Sequence, residues 1–306
     1  MTPVTESLYL IILGLAAGFF FYNAQRLVDY LRVGRPDDRT DHPLIRARNL
    51  FSIGILQSKI LRDPLAGAMH ALVFWGFIVL TVGSVEILIQ GVAPSFTYAA
   101  ILPTPLYSGY VLSQEVFALF VLCAVAWLFY RRLVIRPKRL QGDKLEQWDA
   151  LLILSMIAAL MITLFLLNAF AIVAGQSAGA RVLSTGLARV LSSVPPDAAA
   201  TSRDVMWWGH VLLLLAFLNY LPYSKHLHVI TSLPNVYLSN TSGPGTVGAM
   251  RPMDLEAEGV EQFGAADVKD LPWKNLLDGY SCTECGRCTA ACPANLTGKV
   301  LSPRKI

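Results

Sequence analysis

Of the 306 residues, 54% are hydrophobic and only 15% are charged, and the mean hydropathy is +0.50. This excludes an ordinary soluble domain, in which about a quarter of residues are charged. The net charge of +4 does not indicate nucleic-acid binding, because the basic residues are grouped in loops between apolar stretches. Four of the five cysteines fall within residues 282–292, a clustering that points to metal rather than disulfides and to a reducing compartment.

In chain order, five apolar stretches have the length of a bilayer crossing: Leu8–Leu31, Met69–Ile89, Val111–Ile135, Trp148–Ala174 and Val205–Tyr223. Each must be helical to satisfy its backbone in lipid. The first lacks a basic leader and a small-residue cleavage site, so it reads as a retained span rather than a signal peptide. The first and third loops with their flanks carry fourteen Lys and Arg residues, against three in the second and fourth. This asymmetry predicts a cell-membrane protein with its N-terminus outside and its cysteines in the cytoplasm.

Two connecting segments carry helical periodicity. Leu44 to Leu61 mixes apolar residues with Arg46, Arg48 and Lys59 and reads as a basic interfacial helix. Val182, Leu183, Leu187, Val190 and Leu191 repeat at helical spacing and predict a short helix capping the bundle on the outer side. The expected fold is all-α: a five-helix membrane domain over residues 1–228, a cytoplasmic linker over 229–270, and a small ferredoxin-like iron–sulfur segment over 271–306. The linker reading rests on the turn-rich stretch LPNVYLSNTSGPGTVGAM and the acidic run from Asp254 to Asp270.

Cys282-x2-Cys285-x2-Cys288-x3-Cys292-Pro293 is the spacing of a 4Fe-4S site, with three thiolates in close succession. A zinc site more often pairs two separated Cys-x2-Cys knuckles. In two-cluster ferredoxins the fourth cysteine ligates the other cluster, and no second motif follows before Ile306. The expectation is therefore that this sequence is part of a longer polypeptide.

His70 opens the second span and His228 follows the fifth, both at the cytoplasmic depth, as two axial ligands of one haem b must be. Cys-x2-Cys-His is absent, so covalent c-type attachment is excluded. The alternative is that both are interfacial histidines bonded to backbone or headgroups. Eighteen residues separate His210 from His228, about five turns or roughly 27 Å of continuous helix, which would align both rings on one face. His226 falls out of that register and is the second choice as inner ligand. Leu80 stands where a partner for His210 in an outer haem would be sought, so His210 is expected to bind either haem or quinone, with Glu86 and Glu115 as candidate proton carriers or satisfied headgroup-level side chains. Asn168 and Asn219 are read as helix bridges. His42 lies in a charged loop and is read as inert.

On His70, His210 and His228, and on five spans with the N-terminus outside, the chain resembles the membrane haem b subunit of respiratory nitrate reductase. The departure at Leu80 leaves the inner haem as the one that resemblance implies. CTECGRCTAACPANLTGKVLSPRKI is similar to the first cluster motif of heterodisulfide-reductase-like proteins. The combination resembles membrane-bound electron-transfer-flavoprotein:quinone oxidoreductases. That resemblance implies transfer of electrons between a cytoplasmic donor, such as electron-transfer flavoprotein, and the quinone pool (menaquinone expected) through 4Fe-4S and haem b. A heterodisulfide or sulfur-compound reductase fed by quinol is the redox alternative, and a haem-free anchor for an iron–sulfur partner is the alternative of another class.

Overall fold

In the computed structural model of the chain, residues 3–242, 254–256, 258–259 and 263–305 are described. Every regular element among them is helical, and five helices are long and apolar enough to cross a membrane: Val4–Leu31, Pro64–Val92, Thr104–Ile135, Lys144–Val173 and Pro196–Tyr223. They coincide with the five expected spans and run longer, because polar caps and prolines extend each helix past its apolar stretch. Asp143 accepts the Glu146 amide at 2.9 Å to start the fourth crossing, and Pro64, Pro105 and Pro196 occupy first turns, where a missing N–H costs nothing. The chain divides into two compact units, residues 1–19 with 63–219 and residues 20–62 with 220–306.

The first unit holds the N-terminal half of α1 (Pro3–Leu31), α3 (Pro64–Val92), α4 (Thr104–Tyr130), α5 (Lys144–Val173), α6 (Val182–Val190) and α7 (Pro196–Tyr220); α2 (Pro43–Asn49) falls in the second unit. α6 forms where the periodicity placed it and packs on α5 and α4. Tyr9 is fully buried. Its hydroxyl donates to the Leu88 carbonyl at 2.6 Å and its ring meets Trp207 at 5.5 Å, which ties α1 to α3 and α7. Gly91 lies under that ring, where a Cβ would overlap the aromatic carbons.

The second unit contains the rest of α1, α2, a wide π-type turn over Leu50–Ile55, α8 (His228–Tyr237), α9 (Trp273–Tyr280), α10 (Arg287–Ala291) and α11 (Pro293–Leu296). Three expectations change here. The basic helix expected from Leu44 to Leu61 stops at Leu56, because Gln57 takes a left-handed φ of 53°. Its Arg46 faces no interface: it is 1% exposed, and its guanidinium binds the Tyr237 carbonyl at 3.0 Å, the Ser239 carbonyl at 2.7 Å and Asp41.

The helix carrying His210 also does not continue to His228. It ends at Tyr220; Pro222 removes a backbone donor, and Ser224 is extended (φ −120°, ψ 164°) before a short turn over Lys225–Leu227. The register argument that aligned the two imidazoles on one face therefore fails. Residues 229–237 of the expected linker are helical, with Leu233 packed close to Gly54. Most of the turn-rich SGPGTVGAM stretch and part of the acidic run lie outside the described residues.

Candidate functional site

Within the first unit a cavity of about 290 Å³ opens near the C-terminal half of α3, lined among others by Glu86, Glu115, Asn168, Arg181, Arg203 and His210. His210 is 3% exposed, and its Nδ1 lies 2.9 Å from the Thr163 hydroxyl on α5. That hydroxyl lies 2.8 Å from the Ala159 carbonyl and 3.1 Å from the Leu160 carbonyl, so its one proton has backbone acceptors on its own helix. With the proton so placed, the Thr163 oxygen accepts from Nδ1–H and Nε2 is the acceptor on a ring that lines the cavity; the Leu160 backbone also hydrogen-bonds this ring. A bare Nε2 can accept a hydroxyl proton or ligate a metal. Leu80 lines the same cavity, so the wall offers His210 no second imidazole from that position.

The two carboxylates share the cavity wall but are held as struts. Glu86 accepts from the Thr97 hydroxyl (2.9 Å), the Tyr98 amide (3.0 Å) and the Tyr110 hydroxyl (2.8 Å). Glu115, 3% exposed, accepts the Ser184 amide at 2.8 Å and the Ser184 hydroxyl, and so satisfies an orphan donor of the first turn of α6. All four carboxylate oxygens are engaged. Asn168 lines the cavity, whereas Asn219 donates to its own helix at Leu215 (2.9 Å) and bridges nothing through that amide.

A second constellation lies within the other unit. His228 donates Nδ1–H to the Lys225 carbonyl at 2.8 Å, since a carbonyl can only accept, and its Nε2 carries the lone pair. Burial holds its pKa below the ordinary histidine value, which keeps the ring neutral as a ligand must be. His226, out of register on a continuous helix, lies beside His228 in the folded chain. The turn over Lys225–Leu227 brings the two rings to 5.2 Å between centroids at 74°.

The same segment holds the cysteine loop. Lys225 forms a 2.9 Å ion pair with Glu284, which sits between the first two cysteines of the motif. The Thr231 hydroxyl on α8 shares its one proton between the Leu227 carbonyl (3.1 Å) and the Tyr280 carbonyl (3.3 Å) and accepts from the Ser281 hydroxyl at 3.1 Å, immediately before Cys282. Lys225, Thr231 and Glu284 carried no motif signal, and only the fold reveals their role.

Left-handed backbone at Glu284 (φ 53°) and Gly286 (φ 70°) reverses the chain between successive cysteines, and Pro293 starts α11 directly after Cys292. No cysteine forms a disulfide; Cys282, Cys285 and Cys288 are exposed and Cys292 is half-buried. Among the described residues no three His, Cys, Asp or Glu side chains form a ready metal cage. What fits a cluster is the donor set, four unbonded thiols on a tightly turned loop.

His70, half-buried in the second turn of α3, belongs to the first unit, and His228 to the second. His42 is exposed and pairs with Asp41 at 2.8 Å.

No protein-family profile and no solved structure matches the chain. Among curated proteins, it is 33% identical over 301 residues to the probable iron-sulfur-binding oxidoreductase FadF of Bacillus subtilis, covering 98% of this chain and 41% of that protein. It is 29% identical over 314 residues to the EtfAB:quinone oxidoreductase of Syntrophomonas wolfei, covering 99% of this chain and 42% of that one. A probable membrane-anchored ferredoxin of Chromohalobacter salexigens matches at 32% over 73 residues, 24% of this chain and 11% of that protein. The chain spans about two-fifths of the length of the first two. Along nearly its whole length, then, this chain of five membrane-length helices and a four-cysteine loop is similar to proteins named as an iron–sulfur-binding oxidoreductase and a quinone oxidoreductase.

Proposed function

We propose that the chain is the membrane part of a quinone-linked iron–sulfur oxidoreductase. Cys282, Cys285, Cys288 and Cys292 would hold a 4Fe-4S cluster, and His70 with His228 would supply imidazole donors to haem b. The cavity at His210 would take the ring of a membrane quinone. The observation that carries this reading is the double attachment of the cysteine loop, through Lys225–Glu284 and Thr231, to the segment bearing His228. A redox motif and a candidate ligand histidine are thereby kept in one compact unit.

When bound, the cluster and the haem supply one-electron chemistry. The chain's own residues orient and insulate. The Lys225 carbonyl fixes the His228 tautomer, and Thr163 fixes that of His210. With Nε2 as acceptor, His210 would take a hydrogen bond from a quinol hydroxyl and orient the ring in the cavity. The charge asymmetry of the loops supports a cytoplasmic place for the cysteines, where reduced electron-transfer flavoprotein is the donor proposed by similarity to the Syntrophomonas wolfei protein. The pairing of His70 with His228 rests on their depth in the sequence.

Dithionite-reduced difference spectra and low-temperature paramagnetic resonance of the purified chain test the reading. Expected are b-type bands lost in His70→Ala and a cluster signal lost in Cys285→Ser. A cluster signal without b-type bands would replace the haem-linked reading by a haem-free anchor for an iron–sulfur partner. Absence of both signals would overturn the proposal.

A further inference from the structure

We infer that the chain carries a binding site for the phosphate headgroup of an anionic phospholipid where α4 ends and α5 begins. A cavity of about 250 Å³ there is lined by Arg132, Arg136, Leu133, Leu140, Leu151 and Gln147, among others. Arg132 lies in a wide π-type turn that prolongs the third membrane-length helix to Ile135. Arg136 then takes a left-handed φ of 49° that turns the chain back toward α5. The site thus sits where one membrane-length helix ends and the next begins, with both arginines and leucines in its lining.

The charge distribution singles out this pair of arginines. Arg131 and Arg139 in the same loop both lie against Asp63. Arg132 and Arg136 form no ion pair among the described residues, although the charge of Asp149 reaches Arg132. Two guanidiniums left for an external partner suit a phosphodiester, which they can bind through paired N–H donors. Leu133, Leu140 and Leu151 suit the acyl stem below such a headgroup, and basic pockets between membrane helices are sites of this kind. Free phosphate shares the headgroup's charge but not its need for those leucines.

The test is native mass spectrometry of the full chain, delipidated in mild detergent and titrated with phosphatidylglycerol or phosphatidylcholine of the same acyl chains. A preference for phosphatidylglycerol is expected, and the pair R132Q/R136Q should weaken its binding about thirty-fold while weakening phosphatidylcholine, whose ammonium offsets the phosphate, much less. K138Q/K144Q removes the same charge outside the cavity and should change the preference less than about two-fold. If the double variant fails to fold, R136Q alone, at an exposed position, should weaken the preference about five-fold. An unchanged preference in R132Q/R136Q, or an equal loss in K138Q/K144Q, would overturn the site. Displacement of phosphatidylglycerol by millimolar inorganic phosphate would overturn the lipid assignment in favour of free phosphate.

Discussion

Thr163→Val offers the sharpest test of how the cavity is set. Valine matches threonine in shape, so the substitution removes an acceptor without leaving a hole. The His210 ring is 3% exposed, and its Nδ1–H, now 2.9 Å from the hydroxyl, would face a methyl group. Leaving a buried donor unpaired costs about 1–3 kcal/mol. The threonine's own bond to the Ala159 carbonyl adds little, because that carbonyl also serves the helix ladder. The ring can reduce the penalty by leaning on the Leu160 carbonyl or by moving its proton to Nε2, and the second would put a donor where the cavity now meets a lone pair.

Two readouts follow. The melting temperature should fall by several degrees, at a few degrees per kcal/mol for a domain of this size. Affinity for a naphthoquinol, followed by quenching of Trp207 in the cavity wall, should fall about five-fold or more, and Thr163→Ser should restore both. Unchanged melting and affinity in Thr163→Val would refute the tautomer argument. Lower melting with unchanged affinity would show that His210 does not touch the quinol.

Other perturbations separate structural from electronic roles. Arg46→Met should cost about 3–5 kcal/mol, because the carbonyls of Tyr237 and Ser239 lose a buried cationic donor, and proteolysis near Ser239 should report it. Lys225→Gln should accelerate amide exchange over residues 284–288 up to about five-fold with little change in global melting, since Glu284 is partly exposed and such pairs contribute at most about 1 kcal/mol. Glu115→Gln presents an amide N–H₂ to one of two donors and should loosen α6, read as faster exchange over Val182–Val190. The Arg46 guanidinium, then the His42 and Thr241 contacts, hold Asp41 down from 3.8 to about 2. Because the folded value is the lower one, its stabilising contribution is present above 3.8 and is lost as pH falls toward 2; amide protection over 41–46 should follow that course, and Asp41→Asn should flatten it.

The helical fold class, the number and place of the membrane-length helices, α6 and the four-cysteine motif were all legible in the sequence. Each is a local property, set by runs of apolar residues against caps and by ligand spacing along the chain. The sequence also singled out His210, Glu86 and Glu115, which prove to line one cavity. What each of them does was decided by tertiary structure. Whether a carboxylate carries protons or braces a helix depends on which donors the fold brings to it, and Ser184 lies 69 residues from Glu115. Nitrogen donors became directed ones through Thr163 and the Lys225 carbonyl, partners that have no periodicity or motif to reveal them. The register argument ran a helix straight through Pro222, and only the extended backbone at Ser224 shows that the helix ends before it and that His226 lies beside His228. Local rules act over a few residues; the direction of a lone pair or a salt bridge is set by atoms that meet only once the chain has folded.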